Sequence, residues 1–223
     1  MPHRLPLFPL GTVLFPGSAM PLHVFEDRYR SLIADLLDLP ADEPRRFGVL
    51  CIEIGHEVGE MSAHQLCDVG CVAEMRTVRK HEDGRFDLLV EGVSRFRVEE
   101  YLDDGSPYLR AAITPMPDEV GADADAYAER AGRLFTVYRD RLQRHGIPID
   151  SQDDFPAEPL PLSYALSAAL LTDRHDKQEL LESDHAAARL ERAGELLRRE
   201  NRLLSTLPLL PAGQFMQHDV NLN

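Results

Sequence analysis

The stretch LPLFPLGTVLFPGSAMPLHVFEDRY, from Leu5 to Tyr29, decides the fold. Its apolar residues are punctuated too regularly for a helix. Pro6 and Pro9 interrupt Leu5, Leu7 and Leu10, and Val13 to Phe15 run straight into Pro16-Gly17, a turn dipeptide. These are short strands joined by tight turns. After Pro21 the segment Leu22 to Phe25 is extended again. Tyr29, Leu32, Ile33, Leu36 and Leu37 then fall at helical spacing with polar residues between them, predicting one amphipathic helix that ends near Pro40.

Working outward, Phe47 to Ile54 is apolar on both faces, the pattern of a strand buried inside a barrel, and Gly55 ends it. Cys71 to Arg79 and Arg85 to Glu91 flank His81-Glu82-Asp83-Gly84, whose Asp-Gly pair predicts an antiparallel hairpin. Beyond Gly92, Ser94, Phe96 and Val98 alternate with Arg95, Arg97 and Glu99, which describes a strand with one wet face. Asp103-Asp104-Gly105 turns the chain into Tyr108 to Thr114. Pro115 and Pro117 then close the strand-rich part, and the pattern becomes helical. Asp123 is positioned to cap a helix carrying Tyr127, Ala131, Leu134, Phe135, Tyr138 and Leu142, which Gly146 and Pro148 end. Leu162 to Leu171 predicts a short buried helix, Lys177 to Leu181 a further turn, and Ser183 a cap for a long last helix with Ala187, Leu190, Leu197 and Leu204 inward.

The order Pro6-Leu7-Phe8-Pro9-Leu10, Phe15-Pro16-Gly17, Pro21-Leu22-His23-Val24-Phe25-Glu26 and Arg28-Tyr29 resembles the start of the Lon amino-terminal domain, the substrate-binding region of the Lon protease family, in its stand-alone form. Asp27 stands where many relatives carry proline, and an acidic first turn suits the helix dipole equally well. Gly70-Cys71-Val72-Ala73, Val90-Glu91-Gly92, Arg95-Phe96-Arg97-Val98, Pro107-Tyr108-Leu109 and Lys177-Gln178 with Leu180-Leu181-Glu182 look like later motifs of the same family. The resemblance implies an α+β protein. A PUA-like antiparallel β-barrel with one early helix is expected over residues 1–117 and an α-helical bundle over 118–206, and two prolines with little periodicity predict a loosely packed or disordered tail over 207–223.

The implied function is a non-catalytic polypeptide-binding module, an adaptor or regulator of protein quality control. Its partners are unfolded or exposed polypeptide segments, and a barrel edge strand can capture a peptide by strand addition. A small-molecule-binding or catalytic protein with a pocket between barrel and bundle is the alternative reading. Self-association is left open.

Composition excludes several other classes. Across 223 residues the formal charge is −14 at pH 7, the wrong sign for releasing counterions from nucleic acid. Prolines interrupt any signal-peptide core at the amino terminus, and nowhere do eighteen apolar residues run together, so no membrane association and a cytoplasmic location are expected. Three cysteines, Cys51, Cys67 and Cys71, fit reduced thiols better than a disulfide framework.

Catalytic motifs are missing. No Gly-x-x-x-x-Gly-Lys-Ser/Thr loop occurs, and neither Lys80 nor Lys177 lies in a context matching the serine–lysine peptidase of the Lon family. No Gly-x-Ser-x-Gly elbow occurs. His56-Glu57 is not a zinc-protease helix, because residue 60 is Glu60 and Gly55 and Gly59 discourage helix. His64, Cys67 and Cys71, with His56, make too sparse a set for structural zinc, and Cys51 and Cys71 read as small apolar strand residues. Neither metal nor cofactor is expected, and no catalytic residue is assigned. The candidate polypeptide-binding residues are His23, Glu26, Arg28 and Tyr29, the densest polar cluster of the family-like segment. Glu26 and Arg28 suit a peptide backbone or charged end, and Tyr29 an apolar wall. The same residues also suit a structural role, with Tyr29 leading the helix stripe. Arg95 and Arg97 read as a solvated strand face, and Tyr127, Phe135 and Tyr138 as helical core.

Overall fold

The computed structural model describes residues 3–55, 63–147 and 155–206; the segment around His56 and the expected tail lie outside them. Six strands come first: β1 (His3–Leu10), β2 (Ala19–Val24), β3 (Arg46–Gly55), β4 (Ala63–Lys80), β5 (Phe86–Leu102) and β6 (Arg110–Pro115), with helix α1 (Asp27–Leu37) between β2 and β3. Helices α2 (Ala124–Arg144), α3 (Pro159–Ala169), α4 (Arg174–Glu182) and α5 (Ala186–Thr206) follow. The class is α+β.

The strands run in the order β2-β5-β4-β3-β1-β6, and β5 also pairs with β6, so five of them form a closed ring of pairings with β2 appended. One strand serves both neighbours because β5 is long: Phe86 to Glu91 pair with β2, and Phe96 to Leu102 pair with β6. The expected all-antiparallel arrangement is corrected in one place. β1 and β3 are parallel, with Leu7 opposite Gly48 and Leu10 opposite Cys51. The chain returns through β2 and α1 before starting β3 at the same end, which is the crossover a parallel pair needs.

Turns and caps follow the local chemistry, with two substitutions of role. Gly17 and Gly84 take positive φ in two of the predicted turns. Asp123 stands at the start of α2 but makes no side-chain cap bond, and Ser183 ends α4 instead of opening α5. His185 caps α5, its Nδ1 accepting from the Ala188 N–H at 3.0 Å. Asp173, which nothing in the sequence singled out, caps α4 by accepting from the Asp176 N–H.

Among the described residues, three apolar clusters hold the molecule together. Leu7, Leu50, Val72, Phe96, Ala111 and Ile113 fill the inside of the ring. On one side, α1 lays Tyr29, Leu32, Ile33 and Leu36 against Phe8, Phe47 and Val90, each such burial stabilising by roughly 1.5–3 kcal/mol. On the other, Val13, Phe15, Cys51 and Val69 join the core of the helical half, where α2 and α3 both pack on α5.

Arg95 joins the two halves. It is 1% exposed, so the expected wet face of β5 is covered here by the helical half, while Arg97 remains exposed. The guanidinium donates to the carbonyls of Pro117, Leu181 and Ser183 and to Asp118. Alternation along a strand reports which side each residue faces. It cannot report what a distant segment lays over that side.

Candidate functional site

The four candidate residues do not form one cluster. His23 is exposed on β2, its Nδ1 2.6 Å from Asp87 Oδ1. Glu26 is the residue before α1 and accepts from Arg28 Nη2 at 2.9 Å. The Arg28 guanidinium also lies 4.5 Å over the Tyr29 ring. Tyr29 is 5% exposed and stacks on Phe8 with ring centroids 4.1 Å apart, so most of it serves the core.

Arg28 and Tyr29 nevertheless border an open groove of about 400 Å³, whose other wall is Tyr101 to Leu109, the end of β5 and the turn into β6. That turn is anchored: Ser106 N–H and Arg110 both bond to Asp104, and the Tyr108 hydroxyl donates to Asp35 of α1 at 2.7 Å. Burial, then the bond to Asp35, raises the Tyr108 phenol to about 12, so the donor persists at any physiological pH. Tyr101 and Leu109 are 45% and 41% exposed and bring apolar surface to the groove. Sequence reasoning missed these two. Their available signal was an apolar residue on either side of the Asp103-Asp104-Gly105 turn.

A second crevice of about 360 Å³ lies between the halves, bordered by Cys51, Glu53, Cys67, Arg97, Arg174 and Glu182 among others. Arg174 donates to Ile52 O and Gln178 to Val69 O, tying α4 to β3 and β4, and Gln178 also donates to Glu182 one turn on within α4. All three cysteines are free. The Cys67 thiol hydrogen-bonds toward Cys51 sulfur, which lowers the Cys51 thiol below its ordinary value against the opposing effect of burial, and raises Cys67. Burial pushes Cys71 up to about 12, the behaviour of an inert core thiol. Of the sparse zinc set, His56 lies outside the described residues.

Lys177 and Lys80 both make contacts within the fold. Burial lowers the Lys177 amine, whose Nζ donates to Ala168 O at 2.9 Å, capping the end of α3. Lys80 Nζ sits 5.8 Å over the Phe86 ring. No helix among the described residues is long and apolar enough to cross a membrane.

Fold and groove together define an α+β chain whose strands close into a ring, with a helical half locked to it by a buried arginine. The family description "ATP-dependent protease La (LON) substrate-binding domain" matches residues 4–199, and the chain belongs to that family. Among curated relatives it is 29% identical to the Lon protease of Anaeromyxobacter dehalogenans over 208 residues, 92% of this chain and 24% of that protein. It is 30% identical to the Lon protease of Brevibacillus choshinensis over 206 residues, 90% of this chain and 25% of that one. The chain thus spans about a quarter of the length of these relatives. Two solved structures share the fold. One is a Lon N-terminal domain protein from Xanthomonas campestris, at 21% identity and TM-score 0.58, covering 92% of this chain and 99% of that one. The other is the N-terminal domain of the Mycobacterium avium complex Lon protease, at 17% identity and TM-score 0.62, covering 88% and 98%.

Proposed function

We propose that the protein is a non-catalytic module that binds unfolded or exposed polypeptide segments in the groove between Arg28, Tyr29 and the Tyr101–Leu109 wall, and that it works in the cytoplasm as an adaptor or regulator of protein quality control. Membership of the Lon substrate-binding family over residues 4–199 carries this reading. The groove adds the chemistry: Tyr101 and Leu109 offer exposed apolar contacts to varied side chains, and Arg28 offers a charged donor to backbone or carboxylate oxygens. We read the strand-rich half, residues 1–117, as a PUA-like barrel and residues 118–206 as a helical bundle that buttresses it.

Side-chain capture in the groove fits this chain better than strand addition. Among the described residues β2 pairs only with β5. Pro21, at the middle of that free edge, has no N–H, so an added strand meets a missing donor. The test is a titration of fluorescently labelled, reduced and carboxymethylated proteins of unrelated sequence. Saturable binding of several of them is expected. Failure of every chain to bind saturably overturns the reading.

The crevice between the halves favours a second reading, small-molecule binding or catalysis. Its observation is the lining of Arg97, Arg174, Glu53 and Glu182 around a space of about 360 Å³, with the buried Gln178 Oε1 making no hydrogen bond. A rise in the thermal midpoint of the parent on adding a metabolite extract, lost in Arg174→Ala, would favour this second use.

A further inference from the structure

We propose that His23, His81 and Asp87 form a surface site for a borderline divalent cation such as Zn²⁺, with a position left open to solvent. The three side chains come from three places: β2, the turn after β4, and β5. One ligand atom from each lies within 4.8 Å of the others. Asp87 sits between the imidazoles, Oδ1 2.6 Å from His23 Nδ1 and Oδ2 2.6 Å from His81 Nε2.

Several features make this a built arrangement. His23 and Asp87 are directly opposite each other in the β2–β5 register, between the pairs Leu22–Leu88 and Val24–Phe86, so their Cβ spacing is set by the sheet. His81 is held by the hairpin: its N–H donates to Arg85 O at 2.8 Å, and Gly84 N–H donates to its carbonyl at 3.0 Å. Two imidazole nitrogens and one carboxylate suit Zn²⁺, Co²⁺ or Ni²⁺, whereas Ca²⁺ and Mg²⁺ prefer oxygen alone. Tetrahedral zinc at about 2.0–2.2 Å from each donor separates its ligand atoms by roughly 3.3 Å. Opening the two 2.6 Å contacts, and closing the imidazole pair from within 4.8 Å, to that spacing moves each donor by less than about 1 Å. One neighbour opposes binding. Ligation through Nδ1 puts the His23 proton on Nε2, which faces Arg85 Nη1 at 3.4 Å, so this long, exposed contact has to yield.

The ligands lie apart from the groove residues, so the site stands or falls independently of the polypeptide reading. The experiment is calorimetric titration of the full chain with ZnCl₂, repeated on His81→Gln and Asp87→Asn, with Co²⁺ absorption as a second readout. One equivalent of Zn²⁺ is expected, and each variant is expected to weaken binding by more than the roughly 10–100-fold that loss of an outer-shell partner costs. Co²⁺ is expected to show no thiolate charge-transfer band. Three results overturn the proposal: no uptake of Zn²⁺ at submillimolar concentration, undiminished affinity in both folded variants, or a thiolate band placing the metal on the cysteines.

Discussion

Arg95 Nε and Asp118 Oδ1 meet at 3.1 Å across the junction of the two halves, and the same guanidinium also satisfies the carbonyls of Pro117, Leu181 and Ser183. Removing a buried charge whose partners stay behind is costly, because the Pro117 and Leu181 carbonyls then lose this donor, while Asp118 and Ser183 O keep only Tyr164 and Arg189. Arg95→Met is expected to lower the stability read by urea unfolding by roughly 3–5 kcal/mol. Arg95→Lys is expected to recover little, since an ammonium cannot reproduce the planar fork. A neutral effect of Arg95→Met would mean that the halves are not joined through this residue.

Gly92 makes a second, purely steric prediction. A Cβ there would stand 2.2 Å from Phe15 O and 3.0 Å from Cys71 Sγ, and the first of these is backbone that cannot rotate away. Gly92 is also bonded on both sides, accepting from Gly17 N–H and donating to Ser18 O. Gly92→Ala is expected to cost at least about 1–3 kcal/mol, the range for overpacking, as a fall in the thermal midpoint. An unchanged midpoint would contradict the close crossing of the Phe15–Ser18 turn over β5.

Asp176 gives the pH dependence. Burial alone raises this carboxyl, but Arg199, the Thr172 hydroxyl and Arg192 outweigh it and hold the folded value below the ordinary one. A folded value below the unfolded one, about 3.9, adds stability that is present above that pH and is lost as pH falls through the folded value. Asp176→Asn is therefore expected to be less stable than the parent at pH 7 by about 1–3 kcal/mol. The difference should shrink as both proteins are unfolded below pH about 3.9. A difference independent of pH would point to lost packing instead.

The cation site makes a prediction of opposite sign. Arg85 is held on Asp83 and faces His23 Nε2. Arg85→Ala removes a positive charge and a competing donor while leaving Asp83 unneutralised, so Zn²⁺ affinity is expected to rise severalfold by calorimetry. A fall in affinity would show that Arg85 helps to hold His23 for binding.

Much of this fold was legible along the chain, and the larger misses share one cause. Pro16-Gly17, Asp83-Gly84 and the two-sided apolar run of β3 are local signals, and each produced the expected turn or strand. Tyr29, Leu32, Ile33 and Leu36 are buried as their spacing required. Apart from the Asp123 and Ser183 caps, the readings that failed depended on contacts between distant segments. Arg95 is covered by residues about ninety positions later, and β1 lies parallel to β3 because of how the chain returns. The groove was half legible: Arg28 and Tyr29 border it, but Tyr101 and Leu109 come from a turn that only the closed ring brings beside α1. Nor did spacing announce the cation ligands, since His23 and Asp87 are 64 positions apart.

The most direct measurement of the central claim compares the affinity of one labelled, permanently unfolded protein for the parent and for Tyr101→Ser/Leu109→Ser. Tyr101 and Leu109 are 45% and 41% exposed and lie outside the three buried clusters, so the pair should change stability by no more than about 1 kcal/mol. The double variant is expected to be equally stable and to bind with a Kd weaker by at least about fivefold, the equivalent of about 1 kcal/mol. Equal affinities for an intact double variant would contradict it.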